Sequence, residues 1–481
     1  MSRAPLQLGL AALALAILAW MGALSLSGRA PTADLAAPVV STPTSGDLPT
    51  TVRSVTTTTS STTTTTPATT APERDLSIGV LPAGADAVAT LTTATGDEIE
   101  VEDGSTTSAV GPLSLVVEAD GYRTETIEIP AEAAGAFPVW LDPPDQVMDR
   151  RMVFQTGAAP KQVAFTPDGE ELWVTLLGGT GLEAYDPFTG ALLAAIDLPE
   201  AGSVEVIFDS AGEKAYVSQM ETASVYQIDV ATHEMDRQLL TEGSWTKVMV
   251  LSPEEDRLWA SNWVSNDVSE FDLATGEMVR RIPTVTTPRG LAIDAAASRL
   301  YVAGYDDGDI DVIDLESGEG STIHHTGGAL RHLVADPNEG LIYASDMALD
   351  AILVIDTATD TVATMGSTDR LPNTIDLSPD GRVLAVSNRG RNNPETYYLP
   401  GPEWGTVLLL DTTNGEILDA VVAGNQPTGL AISPDGEWLA YSDFLDNRVT
   451  VLALPSTQEL LTAGGGRSQT YRAEIPKDAG G

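Results

Sequence analysis

Cysteine is absent from the 481 residues. That removes disulfides, thiolate metal sites, cysteine nucleophiles and a lipidated cysteine, and leaves packing alone to hold the fold. Positive charge is scarce as well: 25 Lys+Arg stand against 69 Asp+Glu, a formal charge of −44. A surface of that sign repels a duplex or an anionic membrane at long range, so nucleic acid is not an expected partner. Aromatic residues make up 5% of the chain, and the four histidines are His233, His324, His325 and His332. Only His332 falls near a candidate site, so a histidine-rich metal centre is not expected, and neither a metal nor a cofactor is. No G-x-S-x-G elbow occurs, and 463-AGGGRS-468 lacks the lysine and the strand context of a phosphate loop.

What is present divides the chain. No charged residue lies between Arg3 and Arg29, and 8-LGLAALALAILAWMGALSL-26 forms an apolar core. It is longer than the roughly 7–15 residues of a signal-peptide core and near the roughly 20 that span a bilayer. No clear A-x-A site follows. Residues 1–30 therefore read as an uncleaved anchor, with a cleaved signal peptide as the alternative. Both readings export the protein, as a single-pass membrane protein with extracytoplasmic domains or as a secreted one. Residues 31–74 are rich in Thr, Ser and Pro, including 55-VTTTTSSTTTTTPATTAP-72, and read as an extended stalk that cannot bury a core.

Residues 75–145 carry short strand-like runs, Leu76–Leu81, Ala87–Leu91, Glu98–Val101, Leu113–Glu118, Thr124–Ile129 and Pro138–Leu141, separated by Gly, Asp and Pro. They predict a small β-sandwich. The pieces 82-PAGAD-86 and 111-GPLSLVVEADGYRTETIEI-129 resemble the PEGA domain, a likeness that implies an interaction or wall-proximal module.

Residues 146–456 are periodic. Strands ending in Asp recur at Asp186, Asp229, Asp272, Asp314, Asp356 and Asp411, at intervals of 43, 43, 42, 42 and 55, with Ala453 at the seventh position. Each unit joins an apolar strand, a Pro-Asp-Gly turn, a second strand, a loop, the strand ending in Asp, a Thr-Gly or Asn-Gly turn and a last strand. Four strands in about 42 residues is the grammar of a β-propeller blade. Seven units predict seven blades. The segment 151-RMVFQTGAAP-160 matches the last strand of a unit, and the seventh unit stops near Leu454, so the amino-terminal strand is expected to close the ring. Residues 457–481 read as a flexible tail. The fold class is thus all-β, a seven-bladed propeller behind a small sandwich and one amino-terminal anchor or signal segment.

The repeats resemble the YVTN family of β-propellers. Its "YVsN" segment corresponds to Tyr216-Val217-Ser218, Trp259-Ala260-Ser261-Asn262, Tyr301-Val302-Ala303 and Tyr343-Ala344-Ser345, and its "VIDt" strand to Val312-Ile313-Asp314 and Val354-Ile355-Asp356-Thr357. The likeness implies secreted or surface proteins, some related to lactonases and cycloisomerases and some that bind ligands. None of the motif positions implies a catalytic residue.

The strands alternate in direction, so the loops entering each first strand share a face with the loops between second and third strands. On that face the first strands begin with Lys161, Val204, Lys247, Arg289, Arg331, Asn373 and Thr428, four of them basic in an acidic chain. These cations are expected to ring the channel mouth and suit a carboxylate, phosphate or sulfated sugar. The bland alternative is that they neutralise carboxylates such as Glu205 or Asp346. Trp245, Asn262, Trp263, Tyr305, His332 and Asn388 are expected on the same face. The stretch 389-RGRNNPETYYLPGPEWG-405 is an insertion there, offering Arg389, Arg391, Tyr397 and Trp404 as ligand contacts. The run 306-DDGDIDVID-314 is acidic but wrongly spaced for a calcium loop. The expected activity is binding of an anionic small molecule, a cell-wall glycan or a protein partner by a monomer that meets the membrane only through residues 1–30. The competing class is a lactonase- or lyase-like enzyme, for which His332, Asp346 and Asp443 are the available acid/base groups.

Overall fold

Alternation of apolar and polar residues builds the first sheets. Along Leu113–Ala119, Leu113, Leu115 and Val117 are buried while their neighbours face outward, the period of two that a strand imposes. The computed structural model describes residues 73–81, 86–102, 104–129, 135–325, 327–463 and 465–476. The expected anchor, and the expected stalk as far as residue 72, lie outside the described residues. Among the described residues no helix is long and apolar enough to cross a membrane.

Strands Glu73–Leu81, Ala87–Thr93, Glu98–Val101, Thr106–Val110, Leu113–Ala119, Glu125–Ile129 and Gly135–Trp140 form two sheets. One sets the first strand between the fourth and the seventh; the other runs third, second, fifth, sixth. Leu76, Ile78, Leu91, Leu115 and Val117 lie in the core they share. The fourth strand was not expected. It carries a single aliphatic β-branched residue, Val110, and pairing with the edge of the first strand recruits it.

Residues 149–453 form seven four-stranded antiparallel sheets among the described residues. Sheet one comprises Pro160–Phe165, Leu172–Leu176, Gly181–Tyr185 and Leu192–Asp197, and sheet seven Pro427–Ile432, Trp438–Asp443, Arg448–Ala453 and Asp149–Gln155. First strands follow one another around a closed ring in which that of sheet seven meets that of sheet one. As expected, the amino-terminal strand pairs with Arg448–Ala453, Phe154 opposite Val449. This gives the seventh sheet its outer strand.

The repeated residues each satisfy a backbone demand. The carboxylate of Asp186 accepts the amides of Phe188 and Thr189 at 2.8 and 3.1 Å, and Asp272 and Asp314 cap the amides of Thr275 and Ser317 in the same way. These bonds hold the Asp272 and Asp314 carboxyls below the usual carboxylate range. In the Pro-Asp-Gly turns, Gly169, Gly381 and Gly436 sit at φ of 75° to 76°, a conformation open to glycine at little cost.

The serine of the repeat has the largest structural role. Every first strand carries a bulge at its second and third residues, which leaves an amide outside the ladder. Ser218 Oγ accepts that amide from Glu205 and donates to the Lys247 carbonyl of the next sheet. Thr175, Ser261, Ser345, Ser387 and Ser442 repeat the staple. Sheet four has Ala303 there and lacks the hydroxyl.

Residues 457–476 differ from the expected flexible tail. Thr457–Ala463 is an α-helix, followed by single 3-10 turns at Gly466–Gln469 and Tyr471–Ala473. Leu460, Arg467 and Tyr471 are buried; Arg467 donates to the Ala420 carbonyl at 3.1 Å and pairs with Glu474 and Asp145. The segment covers sheet six. Ser456 and Glu459 form a capping box, the serine amide donating to the glutamate at 3.0 Å.

The link between sandwich and sheets is bolted on both sides. Asp419 accepts the amides of Val147 and Met148 at 3.0 and 2.6 Å, and Asp142 pairs with both Arg123 and Arg150.

Candidate functional site

The bulge that repeats in each first strand re-aims the residue that enters it. Lys161, Lys247, Arg289 and Arg331 all occupy the first bulge position, and Arg389, at the start of the insertion, joins them. Lys247, Arg289, Arg331 and Arg389 are 9%, 6%, 8% and 7% exposed. The loops leading in are strained: Ala159, Trp245, Thr287, Leu371 and Gln426, each immediately before a first strand, hold φ between 50° and 60°. Non-glycine residues avoid that region unless surrounding structure enforces it.

The five cations converge. Burial, then Arg331, Arg289, Arg389 and Lys247 in that order, push the Lys161 ammonium well below the usual lysine range. Burial, Arg289 and Arg331 do the same to Lys247, against a small opposing pull from Glu221. Arg389 is pushed down to about 10 by burial and Arg331, yet a guanidinium stays charged at neutral pH. Among the described residues, no carboxylate lies within 4.0 Å of any of the five. Glu205, 7% exposed, is a carboxylate that partly offsets Arg289 and Arg331, but its ion-pair contact is His332 Nε2 at 3.8 Å. Neutralisation by local carboxylates, the bland expectation, is therefore incomplete.

Aromatic faces take the place of counter-ions. Lys247 Nζ lies 5.4 Å from the ring centroids of both Trp245 and Trp263. Arg289 lies 5.5 Å from Trp263, Lys161 5.7 Å from Phe444 and Arg389 5.3 Å from Tyr397. Tyr305 stacks on Trp263 at 4.8 Å. Each such contact contributes about 0.5–2 kcal/mol, less than a missing anion would. Arg331 donates to Asn373 Oδ1 and Arg389 to Gln426 Oε1, while Nε of Arg289 and of Arg389 is buried with no partner among the described residues.

Other expected contacts sit elsewhere. Asn262 is fully buried, donating to Asp267 and Ser269 at 2.7 and 2.9 Å and accepting from Thr246. Asn388 is likewise buried, with only long donations to Val386 and Thr406 carbonyls. Arg391 is exposed and outside the cluster. Trp404 lines a separate cleft of about 390 Å3 with Asp369, Arg370, Arg472 and Ile475. The acid/base candidates fare similarly. Asp346 accepts the amides of Ala329, Ala348 and Leu349, and Asp443 takes the Gly424 amide and pairs with Arg448 at 2.7 Å.

Asn262, Asp346, Asn388 and Asp443 are all the last residue of a second strand. That position caps neighbouring backbone or seals the strand end. Missed altogether was Asp376, in the first strand of sheet six, whose carboxyl burial pushes above the usual range and which accepts the Ile432 amide at 2.7 Å. Its signal was available: the aligned residues are Ala164, Ile207, Val250, Ala292, Val334 and Ala431.

Two further features carry no comparable site. A larger cleft of about 560 Å3 is lined by Pro-Asp-Gly turn residues and the carboxy-terminal helix, with no Lys or Arg among its walls. In 306–314 the carboxylates are already engaged: Asp307 accepts the Thr286 amide, Asp309 that of His325 and Asp311 that of Val285.

A closed ring of four-stranded antiparallel sheets defines a β-propeller. No family model matches the chain. It is 35% identical over 317 residues to antigen Lp49 of Leptospira interrogans, covering 62% of this chain and 68% of that one, and it belongs to the same family. It is also 29% identical over 164 residues to the seven-bladed beta-propeller protein Rv1057 of Mycobacterium tuberculosis, of which it spans 39%. The YncE protein of Salmonella typhimurium is 21% identical over 196 residues, 54% of its length. Among solved structures, a chain of Kuenenia stuttgartiensis hydrazine synthase superposes with a TM-score of 0.52 at 20% identity, over 62% of this chain and 97% of that one; this likeness concerns the fold alone.

Proposed function

We propose that the chain is a seven-bladed, YVTN-type binding propeller that holds an anionic ligand at its channel mouth and is presented outside the cytoplasm, with the PEGA-like sandwich as its spacer. The observation that carries the reading is the convergence of Lys161, Lys247, Arg289, Arg331 and Arg389 with no carboxylate within 4.0 Å among the described residues. Buried charge without a partner is costly, and an anionic ligand relieves it. A neutral sugar fits less well, because the faces of Trp245, Trp263 and Tyr397 are already occupied by the protein's own cations. The seven four-stranded sheets support the blade count. The amino-terminal apolar run supports export.

The test is calorimetric titration with carboxylates, phosphates and sulfated oligosaccharides against the wild-type chain and Arg289→Gln/Arg331→Gln. Each lost charge-assisted contact costs about 1.5–3 kcal/mol, so the double variant should bind at least about 100-fold more weakly. Equal binding by both proteins, or saturation by no anion in the panel, overturns the reading.

A further inference from the structure

Three arginines and two lysines face one another at the mouth, and Glu205 is the carboxylate that offsets Arg289 and Arg331. Arginine cannot shed its charge at neutral pH; lysine can. Without a ligand, the way to lower the repulsion is for Lys161 and Lys247 to give up protons. The surroundings agree. Lys161 Nζ lies over the Phe444 ring and within the field of the neighbouring cations, while Lys247 Nζ lies 2.6 Å from the Met220 sulfur and over two indoles. Glu221, Tyr305, Tyr397, Tyr398 and the His332–Glu205 pair also face this space, with Asp376 behind His332.

A singly charged ligand leaves most of the arginine charge uncompensated. Resting on the anion-binding reading above, we propose that the ligand is a compact multivalent anion, of the phosphoryl or polycarboxylate class, and that Lys161 and Lys247 take up protons as it enters. The sign follows from linkage. Entry of negative charge raises both ammonium affinities, so protons are bound between the empty-site and occupied-site values, and affinity falls as pH rises through that window.

The decisive experiment titrates the full chain at pH 8 with citrate, pyrophosphate and acetate, each in Tris and in HEPES, whose ionisation enthalpies differ. The expected result is binding of citrate or pyrophosphate at least about 100-fold tighter than acetate, with observed enthalpies that differ between the buffers by an amount equal to about one proton taken up. The citrate and pyrophosphate arms separate the two chemical sources. In Lys161→Met/Lys247→Met the buffer dependence should vanish while weaker citrate or pyrophosphate binding persists through the arginines; if that variant does not fold, the buffer comparison on the wild type decides alone. Tight binding with identical enthalpies in both buffers overturns the proton coupling, and acetate binding as tightly as citrate overturns multivalence. Both of those outcomes leave an anion-binding propeller standing. Saturation by none of the three removes the present proposal, and the reading beneath it then rests on the sulfated oligosaccharides of its own panel.

Discussion

Replacing Glu125 by glutamine should stabilise the protein at pH 8 and do little below pH 4.5. Glu125 opens a strand of the sandwich and points at Asp142 of the linker and Asp149 of the ring-closing strand; oxygens of the three carboxyls lie within 4.8 Å of one another. Burial first, then Asp142 and Asp149, raise its carboxyl from 4.5 to about 7, against a pull from Arg123 and Arg151. The arginines are committed largely to the two aspartates: Arg123 pairs with both, Arg150 with Asp142 and Arg151 with Asp149. Glu125 is the member of the cluster with no ion pair of its own among the described residues.

The folded state therefore holds a proton on Glu125 that the unfolded chain releases near pH 4.5, so wild-type stability falls as pH rises from 4.5 through 7. At full strength the shift corresponds to about 3 kcal/mol. Solvent screening at a partly exposed site reduces it to about 1–2 kcal/mol. Glutamine keeps the shape and removes the charge. Urea unfolding followed by tryptophan fluorescence should move to a midpoint higher by about 0.5 M at pH 8, and Trp140, which lies 5.2 Å from Arg150 and 4.6 Å from Arg448, reports on the junction itself. The gap should narrow at pH 5. An equal midpoint shift at both pH values, or destabilisation at pH 8, would refute the argument.

Removing one hydroxyl staple, Ser218→Ala, strands the Glu205 amide and the Lys247 carbonyl and should cost about 1–3 kcal/mol by urea denaturation. Ala303→Ser installs the staple that sheet four lacks and should gain up to about 1 kcal/mol in the same assay. Arg467→Met removes a buried guanidinium that donates to the Ala420 carbonyl and pairs with the exposed Glu474 and should cost about 1.5–3 kcal/mol, read as release of the 457–476 segment to limited proteolysis before the sheets unfold. Gly401→Ala drives a Cβ against the Arg391 carbonyl, so the 389–405 insertion should become cleavable by protease while the melting transition of the remainder stays within about 0.5 kcal/mol of wild type.

The periodic part of the fold was legible because each repeated residue discharges a local obligation. Asp272 caps a turn, Gly436 takes a left-handed φ and Ser261 staples two sheets; such duties recur at fixed spacing and can be counted. The cation cluster was legible for the same reason, since Lys161, Lys247, Arg289 and Arg331 share one register position. What failed to show was direction. Asn262 and Asn388 stand on the correct side of the sheet but turn inward, because the end of a second strand leaves backbone groups that must be satisfied before solvent is. Trp404 and Arg391 belong to an insertion with no repeat to align against. The carboxy-terminal helix did carry a signal, the Ser456-to-Glu459 capping box ahead of Leu460 and Leu461, but composition around the glycines outweighed it.

The two signs of charge in this protein act over different distances. A formal charge of −44 is spread over the whole chain, whereas Lys161, Lys247, Arg289, Arg331 and Arg389, with no carboxylate within 4.0 Å among the described residues, meet at one place. In physiological salt a surface charge is screened beyond about 8 Å, while buried pairs are screened much less. A small anion therefore crosses the acidic exterior with little penalty and feels the cations only once it is inside the rim. A long polyanion cannot do this, because most of its length stays against the acidic surface while one segment enters. The arrangement discriminates by size as well as by sign, and the discrimination depends on ionic strength. Raising salt from 0.05 to 0.5 M should weaken binding of a compact anion such as citrate, whose attraction is local and positive, and should improve relative binding of a sulfated polysaccharide, whose dominant long-range term is repulsion. Parallel weakening of both ligands with salt would mean that the acidic exterior has no part in selection.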